Sequence, residues 1–271
     1  MMIDSFEVSE ALTIITVVRN DRRALALTRA SLEAQSNLSF KWLVIDGRST
    51  DDTLETLEAP LPFHAEVFSE EDRGIYDAMN KGLQRATGAG IIYLNAGDTL
   101  ADDSVVERVL GDLPLMHDPE VAGFFGRTII VRGTTTQISH PKTSPEWIRG
   151  AMPAIHQSIV FNRHLHQSFP YDLKYPVSAD YGVVAAMYMA GHRFVRRNYT
   201  IAVRDGNESG TSSRQWKRVV SDTWKIQRDI VQAGLIERSL WASRRAGQRA
   251  LTLLMDRGLV SPNIVQALRG R

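Results

Sequence analysis

The chain has no cysteine among its 271 residues. This absence excludes a disulfide framework, a thiolate-bound zinc or iron–sulfur site and a cysteine nucleophile, and it fits a reducing compartment. The first ten residues carry three acidic side chains and no long apolar run, which is not the pattern of a secretory signal. No stretch approaches the roughly 20 apolar residues of a membrane-spanning helix. We therefore expect a cytoplasmic protein, either soluble or peripheral on the inner face of the membrane.

The glycine motifs that commonly bind phosphate are also missing. The sequence contains neither GxGxxG after its first predicted strand nor GxxxxGK[ST] at any position. A Rossmann dehydrogenase and a P-loop NTPase are therefore excluded. A phosphate without a glycine cradle is usually held through a metal ion, and Mg²⁺ or Mn²⁺ prefers one or two carboxylates together with phosphate oxygens.

The chain has almost no net charge, but its charged residues are unevenly distributed along the sequence. The composition is 43% apolar and 23% charged, and the formal net charge is +1. Residues 214–271 hold 12 basic and 4 acidic side chains, whereas the preceding residues hold 20 basic and 27 acidic ones. This basic tail, with Arg244, Arg245 and Arg249 near Trp241, predicts either contact with an anionic membrane surface or a helix that packs on its own domain. No nucleic-acid partner is expected.

The first half of the chain alternates between strand and helix patterns. Short β-branched and apolar runs predict strands at 12–18, 42–45, 65–68 and 91–94. Helical patterns lie between them, at about 25–34, 54–57 and 75–86. This alternation predicts an α/β fold with a central, mostly parallel sheet and helices on both faces.

The pattern changes after about residue 112. Short β-like segments are predicted at 121–125, 127–131, 155–161 and 193–203, with one apolar helix at 179–190. From residue 214 the pattern is helical. We therefore divide the chain into a domain over 1–213, with a nucleotide-binding half at 1–112 and an acceptor-side half at 113–213, and a basic helical extension at 214–271.

Polar and acidic residues follow each of the four predicted parallel strands. Ligands of open parallel sheets bind beyond the carboxyl ends of the strands, so these residues should converge. A divalent cation and the hydroxyl groups of a sugar nucleotide explain acids at strand ends better than loop polarity alone does. The segments in question are 19–21, 46–49, 70–74 and 95–98.

Three of these segments belong to longer motifs. VIDGRSTDDT (44–53), SEEDRGIYDAMNKG (69–82) and IIYLNAGD (91–98) resemble, in order and spacing, family-2 glycosyltransferases of the A-type nucleotide-sugar fold. HQSIVF (156–161), SADYGVV (178–184) and a degenerate ESGTS (208–212) extend the resemblance over residues 12–215. The pattern is most similar to a subgroup from bacterial exopolysaccharide clusters, such as colanic-acid-type transferases.

The resemblance implies a role for individual positions. Asp46 would contact the base of the nucleotide. Arg48 stands where the family has glycine, which would alter the loop or place a cation near phosphate. Asp98 is the one carboxylate retained from the family's metal-binding DxD motif, and Asp180 matches the catalytic base. The remaining residues implied to bind the nucleotide sugar are Thr16, Arg19, Asp72, Asp77, Asn80, Lys81, Asn95, Ala96 and Gly97.

Three candidate site residues, Asp180, His156 and Lys81, also have structural interpretations. Asp180 stands near the start of the predicted helix at 179–190, so it is either a base or only an N-cap. His156 and Gln157 would contact the donor pyrophosphate or the acceptor, unless His156 has a structural role. Lys81 would reach a phosphate or pair with Asp77 one helical turn away.

Together these features predict an inverting glycosyltransferase with a Mn²⁺ or Mg²⁺ cofactor. The donor would be a nucleoside diphosphate sugar, with UDP favoured, and the acceptor a saccharide or lipid-linked oligosaccharide. Two alternatives stay open. A sugar-phosphate nucleotidyltransferase should carry a glycine-rich loop after its first strand, which is absent, and a non-catalytic nucleotide-sugar-binding protein would explain the incomplete metal motif.

Overall fold

The computed structural model describes residues 11–206 and 215–256. The strands are β1 (Leu12–Val18), β2 (Lys41–Asp46), β3 (His64–Ser69), β4 (Gly90–Tyr93), β5 (Thr99–Leu100), β6 (Val121–Arg132), β7 (Thr135–Ser139), β8 (Ile159–Asn162) and β9 (Arg193–Asp205). The helices are α1 (Arg22–Glu33), α2 (Ile75–Arg85), α3 (Val105–Asp112), α4 (Pro145–Gly150), α5 (Arg163–Ser168), α6 (Ala179–Met189), α7 (Trp216–Asp229) and α8 (Leu235–Asp256).

In this part of the chain the nine strands form one sheet, in the order β3-β2-β1-β4-β8-β6-β9-β5, with β7 paired to β6. The pairings among β1, β2, β3 and β4 are all parallel. The four predicted strands of the first half are thereby confirmed. Their carboxyl ends lie at one edge of the sheet, so the loops after them meet there.

The alternation of side chains along β1 explains why apolar residues point to both faces of the strand. Ile15 and Val17 face the core on the side of α2 and α6, whereas Leu12 and Ile14 face the core on the side of α1 and α3. Every residue of β1 is buried. A strand covered by helices on both faces has no solvent side, so apolar residues predominate and the two threonines of β1 are buried with their hydroxyls hydrogen-bonded.

The second half of the sheet is mixed rather than parallel. β8 runs antiparallel to β4 and β6, while β9 runs parallel to β6. The two strands predicted at 121–125 and 127–131 are one strand, β6, which forms a hairpin with β7. The helix predicted at 54–57 is a 3-10 segment over Asp52–Leu57. The directions of β8 and β9 cannot be read from local patterns, because their partners β4 and β6 lie far away in the chain.

The two C-terminal helices pack on the acceptor-side half. Ile226 of α7 is fully buried in the same core cluster as α6, and Gln227 donates a 2.7 Å hydrogen bond to the carbonyl of Gly150. A Cβ atom at Gly150 would lie 1.8 Å from the indole of Trp241, so only glycine lets α8 approach this closely. The segment therefore packs on its own domain, and its contact with a membrane surface stays a prediction. The predicted boundary at 213/214 and the ESGTS segment at 208–212 lie outside the described residues.

No helix within residues 11–206 and 215–256 combines the length and apolarity needed to cross a membrane.

The loop after β2 contains one residue in a costly backbone conformation. Arg48 has φ of +58°, in the left-handed region, and its guanidinium makes a 3.0 Å ion pair with Glu71 at the surface. A side chain with a Cβ atom pays about 1–2 kcal/mol in this region, which glycine avoids. Backbone geometry therefore favours glycine at this position, in agreement with the glycine that the resemblance implies.

We predict that Arg48→Gly is more stable to unfolding than Arg48→Ala by about 0.5–1 kcal/mol. Both variants lose the ion pair with Glu71, but only glycine relieves the backbone strain. Part of this gain is offset because glycine increases the conformational entropy of the unfolded chain. Urea unfolding of the two proteins would measure the difference. Equal stability would show that the loop relaxes around the alanine side chain at no cost.

Candidate active site

A cleft of about 1220 Å³ lies at the carboxyl ends of the parallel strands. Its walls come from both halves of the chain, because the loops after β1 and β4 face the segment between β7 and β8 and the start of α6. Of the predicted site residues, those that line the cleft are Arg19, Asp72, Asn95, Ala96, Gly97, Asp98, His156, Gln157 and Asp180. The structure thus brings together residues that are up to 161 positions apart.

The segment after β4 is a tight turn that presents Asp98 to the cleft. The amide of Asp98 donates to the carbonyl of Asn95 at 2.9 Å, and Gly97 has φ of +92° at the third position of the turn. That conformation suits glycine in a turn of this kind. Thr28 of α1 holds the turn from below, since its hydroxyl donates to the carbonyl of Asp98 at 2.8 Å and accepts from the amide of Gly97 at 3.0 Å.

Asp98 is a buried carboxylate with an altered acidity. Burial raises its pKa to about 6 and a nearby Asp205 adds to the increase, while a hydrogen bond from Gln157 and the charge of Arg204 oppose it. The amide nitrogen of Gln157 donates to Oδ2 of Asp98 at 2.7 Å. The ionised form of Asp98 is therefore costly to the protein alone and would be favoured by a bound cation.

A second oxygen on the same turn has no hydrogen-bond partner among the described residues. Oδ1 of Asn95 is buried and accepts no hydrogen bond from the described residues. No group of three or more His, Asp or Glu side chains able to hold a metal occurs within 11–206 and 215–256. One carboxylate and one amide oxygen do not form a complete metal cage. They do fit a hard cation such as Mn²⁺ or Mg²⁺ that takes its other ligands from a diphosphate and from water.

Asp180 lies on the opposite wall, in the first turn of α6. The N-cap of this helix is Ser178, so the alternative of Asp180 as N-cap is wrong. Oδ1 of Asp180 accepts hydrogen bonds from the Tyr76 hydroxyl at 3.0 Å and from the Tyr181 amide at 2.9 Å. Its other oxygen, Oδ2, receives no hydrogen bond from any residue that the structure describes, so it can accept one from a ligand.

The environment of Asp180 suits a base. Burial raises its pKa, while the hydrogen bonds from Tyr181 and Tyr76 and the charge of Arg245 lower it. A carboxylate with a raised pKa takes up a proton more readily than an exposed one, yet opposing groups of this kind keep it available in its ionised form.

His156 and Gln157 have different surroundings. Nε2 of His156 lies 2.8 Å from the hydroxyl of Tyr171, and its ring stacks on Tyr93. Burial lowers the pKa of His156 to about 3, so the imidazole is neutral at physiological pH. A charge-based contact from His156 to pyrophosphate is therefore not available, and the structural alternative fits the geometry. Gln157 acts on Asp98 as described above.

Two predicted donor contacts lie below the cleft surface. Thr16 is fully buried, where its hydroxyl donates to the carbonyl of Leu94 and accepts from the indole of Trp42, both at 2.8 Å. The Asp46 carboxylate is also fully buried and accepts hydrogen bonds from Ser49 and Ser69. These residues shape the loops under the cleft, and their contact with a nucleotide stays a prediction.

Three residues of the GIYDAMNKG motif are likewise engaged within the protein. Asn80 pairs with both the amide and the carbonyl of Tyr171, at 2.9 and 2.8 Å. Asp77 accepts from the backbone and side chain of Arg73; burial raises its pKa, but these bonds leave it below its usual value. Lys81 donates to the carbonyl of Glu71 and lies 3.9 Å from Asp77. None of the three lines the cleft, and the predicted donor contacts stay predictions.

Several cleft residues were not predicted from the sequence. Arg23 in the first turn of α1 and Arg204 near the end of β9 both line the cleft and add positive charge to it. Arg204 could have been found by reading the end of β9 as the ends of the parallel strands were read. Tyr76, the partner of Asp180, gave no separate signal, because an aromatic residue in an amphipathic helix is ordinarily a core residue.

Comparisons with known proteins agree with this geometry. Residues 13–189 match the family described as Glycosyl transferase family 2. A PGL/p-HBAD biosynthesis glycosyltransferase of Mycobacterium tuberculosis is 27% identical over 202 residues, which cover 73% of this chain and 77% of that protein.

Solved structures show the same fold at low sequence identity. A mannosyltransferase of Pyrobaculum calidifontis, solved with GDP-Man and Mn²⁺, superposes with a TM-score of 0.63 at 17% identity, over 96% of this chain and 78% of the other. Residues 1–349 of Staphylococcus aureus TarS, solved with UDP-GlcNAc, superpose with a TM-score of 0.62 at 15% identity, over 87% and 71%. The chain spans 40% of a longer TarS chain. The fold is that of the A-type nucleotide-sugar transferases.

The acidity of Asp98 predicts a pH-dependent change in stability when the carboxylate is removed. Its folded pKa of about 6 exceeds the ordinary 3.8, so wild-type stability falls as pH rises between these values, and above pH 6 the ionised group opposes folding. In EDTA, Asp98→Asn should therefore be more stable than wild type by about 2 kcal/mol at pH 8, and by less at pH 5.

Thermal unfolding at the two pH values would measure this gain. Asp103→Asn, at an exposed carboxylate, serves as the control and should change stability little at either pH. A destabilised Asp98→Asn at pH 8 would mean that the carboxylate supports the turn rather than opposing folding.

Proposed function

The chain belongs to glycosyl transferase family 2, and from this premise we propose that it transfers a sugar, with inversion, from a nucleoside diphosphate sugar to a hydroxyl group of a saccharide or lipid-linked oligosaccharide. A UDP-sugar is the favoured donor, and the synthesis of a bacterial surface polysaccharide is the expected setting. The observation that carries the proposal is a single cleft with two features on opposite walls. One wall holds the Asn95–Asp98 turn, whose oxygens can bind a cation, and the other holds the Asp180 carboxylate, which has one oxygen available to a ligand.

The donor diphosphate would lie against the loops after β1 and β4. Arg19 from the first loop, Arg23 from the first turn of α1 and Arg204 from β9 supply positive charge along this wall. A diphosphate carries several negative charges, and its departure as a leaving group is favoured by fixed cations close by. Their position on the same wall as Asp98 supports this assignment.

Asp98 and the amide oxygen of Asn95 would hold a Mn²⁺ or Mg²⁺ ion together with the diphosphate. Such an ion neutralises charge on a departing phosphate group. Gln157 orients the Asp98 carboxylate through its 2.7 Å hydrogen bond. The raised pKa of Asp98 supports the assignment, because a buried carboxylate at this acidity gains more from a cation than an exposed one would.

Asp180 would act as the base of the transfer. The acceptor hydroxyl oxygen forms a bond to the anomeric carbon while the bond from that carbon to the diphosphate oxygen breaks, and the hydroxyl proton passes to Oδ2 of Asp180. The electron pair of the broken bond leaves with the nucleoside diphosphate. Tyr76 and Tyr181 hold Oδ1 through two hydrogen bonds, which leaves the other oxygen for the acceptor.

Association with an anionic membrane is the second part of the proposal. The first turns of α8 expose apolar side chains, with Leu235 at 64%, Ile236 at 79% and Leu240 at 57% exposure. Residues 214–271 carry the basic excess. An apolar helix face in a basic segment fits the interface of a bilayer with anionic headgroups, where a lipid-linked acceptor would be found.

Two single substitutions separate the donor and acceptor roles. For wild type, UDP with Mn²⁺ at about a hundredfold excess over Kd should stabilise the fold by about 2.7 kcal/mol. Asp98→Asn should lose the Mn²⁺-dependent part of this gain relative to its own unliganded form. Asp180→Asn should keep it but turn over a UDP-sugar about 10²–10⁴-fold more slowly, because only the proton acceptor is lost.

Thermal shift and donor-turnover assays on the same three proteins would measure both effects. Turnover by Asp180→Asn at the wild-type rate would exclude Asp180 as the base. Binding of UDP and Mn²⁺ by wild type, without turnover of any donor on a panel of UDP- and GDP-sugars, would favour the non-catalytic alternative.

The membrane surface can be tested with Leu235→Ser, Ile236→Ser and Leu240→Ser combined. This variant should bind vesicles of phosphatidylcholine and phosphatidylglycerol at least about tenfold more weakly than wild type, because three apolar side chains no longer enter the interface. Val67→Ser, at an exposed apolar residue of β3, is the matched control. Vesicle co-sedimentation measures binding, and equal binding by all three proteins would remove this surface from the proposal.

A further inference from the structure

Helix α7 lies outside residues 13–189, the segment that matches the family, yet one of its faces packs against the segment that carries Asp180. Asp222, Ile226 and Asp229 follow the spacing i, i+4, i+7, which places them on one side of the helix. Ile226 is fully buried, and a Cβ atom at Gly182 of α6 would lie only 3.7 Å from its side chain. The two acids are therefore directed toward the start of α6.

Asp222 is a buried carboxylate that binds the backbone of this segment. It is 2% exposed, and its Oδ2 accepts a hydrogen bond from the amide of Val177 at 2.9 Å. Its Oδ1 lies 3.9 Å from the ammonium of Lys225. Asp229 contacts the same segment, since its Oδ2 accepts from the hydroxyl of Tyr175 at 3.3 Å. Because a buried amide needs an acceptor, Asp222 fixes the position of Val177.

Val177 is connected to Asp180 in two ways. It directly precedes Ser178, the N-cap of α6, so its backbone sets where the first turn of the helix and Asp180 begin. Its carbonyl also lies 3.2 Å from the hydroxyl of Tyr76, which donates to Oδ1 of Asp180 at 3.0 Å. A shift of Val177 would therefore move both the carboxylate and the tyrosine that orients it.

Helix α7 holds a second part of the cleft wall in the same manner. Gln227 is 1% exposed and donates a 2.7 Å hydrogen bond to the carbonyl of Gly150, the last residue of α4. Trp147 of α4 lines the cleft, as do Val177 and Asp180. Two neighbouring buried side chains of α7 thus bind the backbone of two cleft-lining segments, which links this helix to the geometry of the acceptor side.

We propose that Asp222 is a positioning residue for the transfer reaction, in which its carboxylate holds the Val177 amide and thereby fixes Asp180 and Tyr76 at the cleft. The inference rests on the proposed role of Asp180 as base. A misplacement of a reacting group by about 1 Å can cost about 10²-fold in rate, so a contact two steps away from the substrate can govern turnover.

Amide hydrogen exchange, followed by NMR, tests the positioning without any substrate. Asp222→Ala should raise the exchange rates of the Val177 and Tyr181 amides at least about tenfold, because their hydrogen-bonded segment is released. The amides of Gly97 and Asp98, on the opposite wall, should exchange as in wild type. Asp222→Asn keeps an oxygen that can accept from Val177, so it should restore most of the protection.

Hydrolysis of UDP-GlcNAc with Mn²⁺ gives the functional readout. Asp222→Ala should lower kcat about 10–10²-fold while KM for the donor stays close to wild type, because the donor wall is untouched. Asp222→Asn should recover most of the rate. A general loss of structure would instead weaken donor binding and turnover together and would not be rescued by asparagine.

Ile226→Val is the matched control. It removes one methylene from the same buried face of α7 but no hydrogen bond, so it should lower the melting temperature and leave both Val177 exchange and kcat close to wild type. Asp222→Leu fills the space of the carboxylate without accepting a hydrogen bond. It provides a second variant in case alanine is poorly tolerated, and it should behave as alanine does.

Unchanged exchange at Val177 in folded Asp222→Ala or Asp222→Leu overturns the proposal, as does wild-type kcat in a variant whose Val177 amide exchanges freely. Unfolding of both variants also overturns it, because the carboxylate would then serve the fold as a whole. If wild type does not hydrolyse UDP-GlcNAc, raised exchange at Val177 and Tyr181 still supports the positioning of Asp180. That outcome counts against the proposed function alone, so failure of the two proposals is distinguishable.

Discussion

The hydrogen bond from the Tyr76 hydroxyl to Asp180 joins the two halves of the molecule at the cleft. Tyr76 lies on α2, which packs on the parallel strands, whereas Asp180 lies in the first turn of α6 in the acceptor-side half, 104 residues later. The same hydroxyl also contacts the carbonyl of Val177 at 3.2 Å. Because a buried carboxylate needs hydrogen bonds to be tolerated, this contact fixes both the side chain and the distance between the walls. The direction of the free oxygen of Asp180 depends on it.

Burial of carboxylates is the energetic cost of this site. Asp98 and Asp180 both have raised pKa values because burial disfavours their charged forms. The protein offsets the cost differently on the two walls. Asp98 has a neutral amide partner and a nearby arginine and stands to gain from a bound cation, whereas Asp180 has two hydrogen bonds. Burial of these carboxylates lowers the stability of the fold, because they would be better solvated outside the cleft. It also shifts their pKa values, as is common for reactive groups at functional sites.

His156, which lines the cleft, and the neighbouring His166 show how a polar cluster in the core can be chemically inert. His156 and His166 lie among Tyr93 and Tyr171, and burial lowers the pKa of each histidine to about 3. Nδ1 of His166 is 3.1 Å from the carbonyl of Phe169, so its other nitrogen is left to accept from tyrosine. The network is satisfied internally and supports the cleft floor beneath His156. A histidine in a motif is therefore not evidence of acid–base chemistry unless its surroundings allow it to be charged.

The parallel half of the sheet and the residues that follow its strands could be read from the sequence, because local hydrophobic runs and strand-end polarity are properties of short segments. Asp98 and Asp180 were found in this way with the help of motif resemblance. The sequence did not predict the mixed second half of the sheet, the burial of Thr16 or the hydrogen bonds of Asn80. These features depend on partners far away in the chain. Helix α8 is the clearest case: its basic sequence fits either a membrane contact or packing on its own domain. Only the packing of Trp241 on Gly150 decides which way that helix faces, and this close approach is set by the tertiary structure alone.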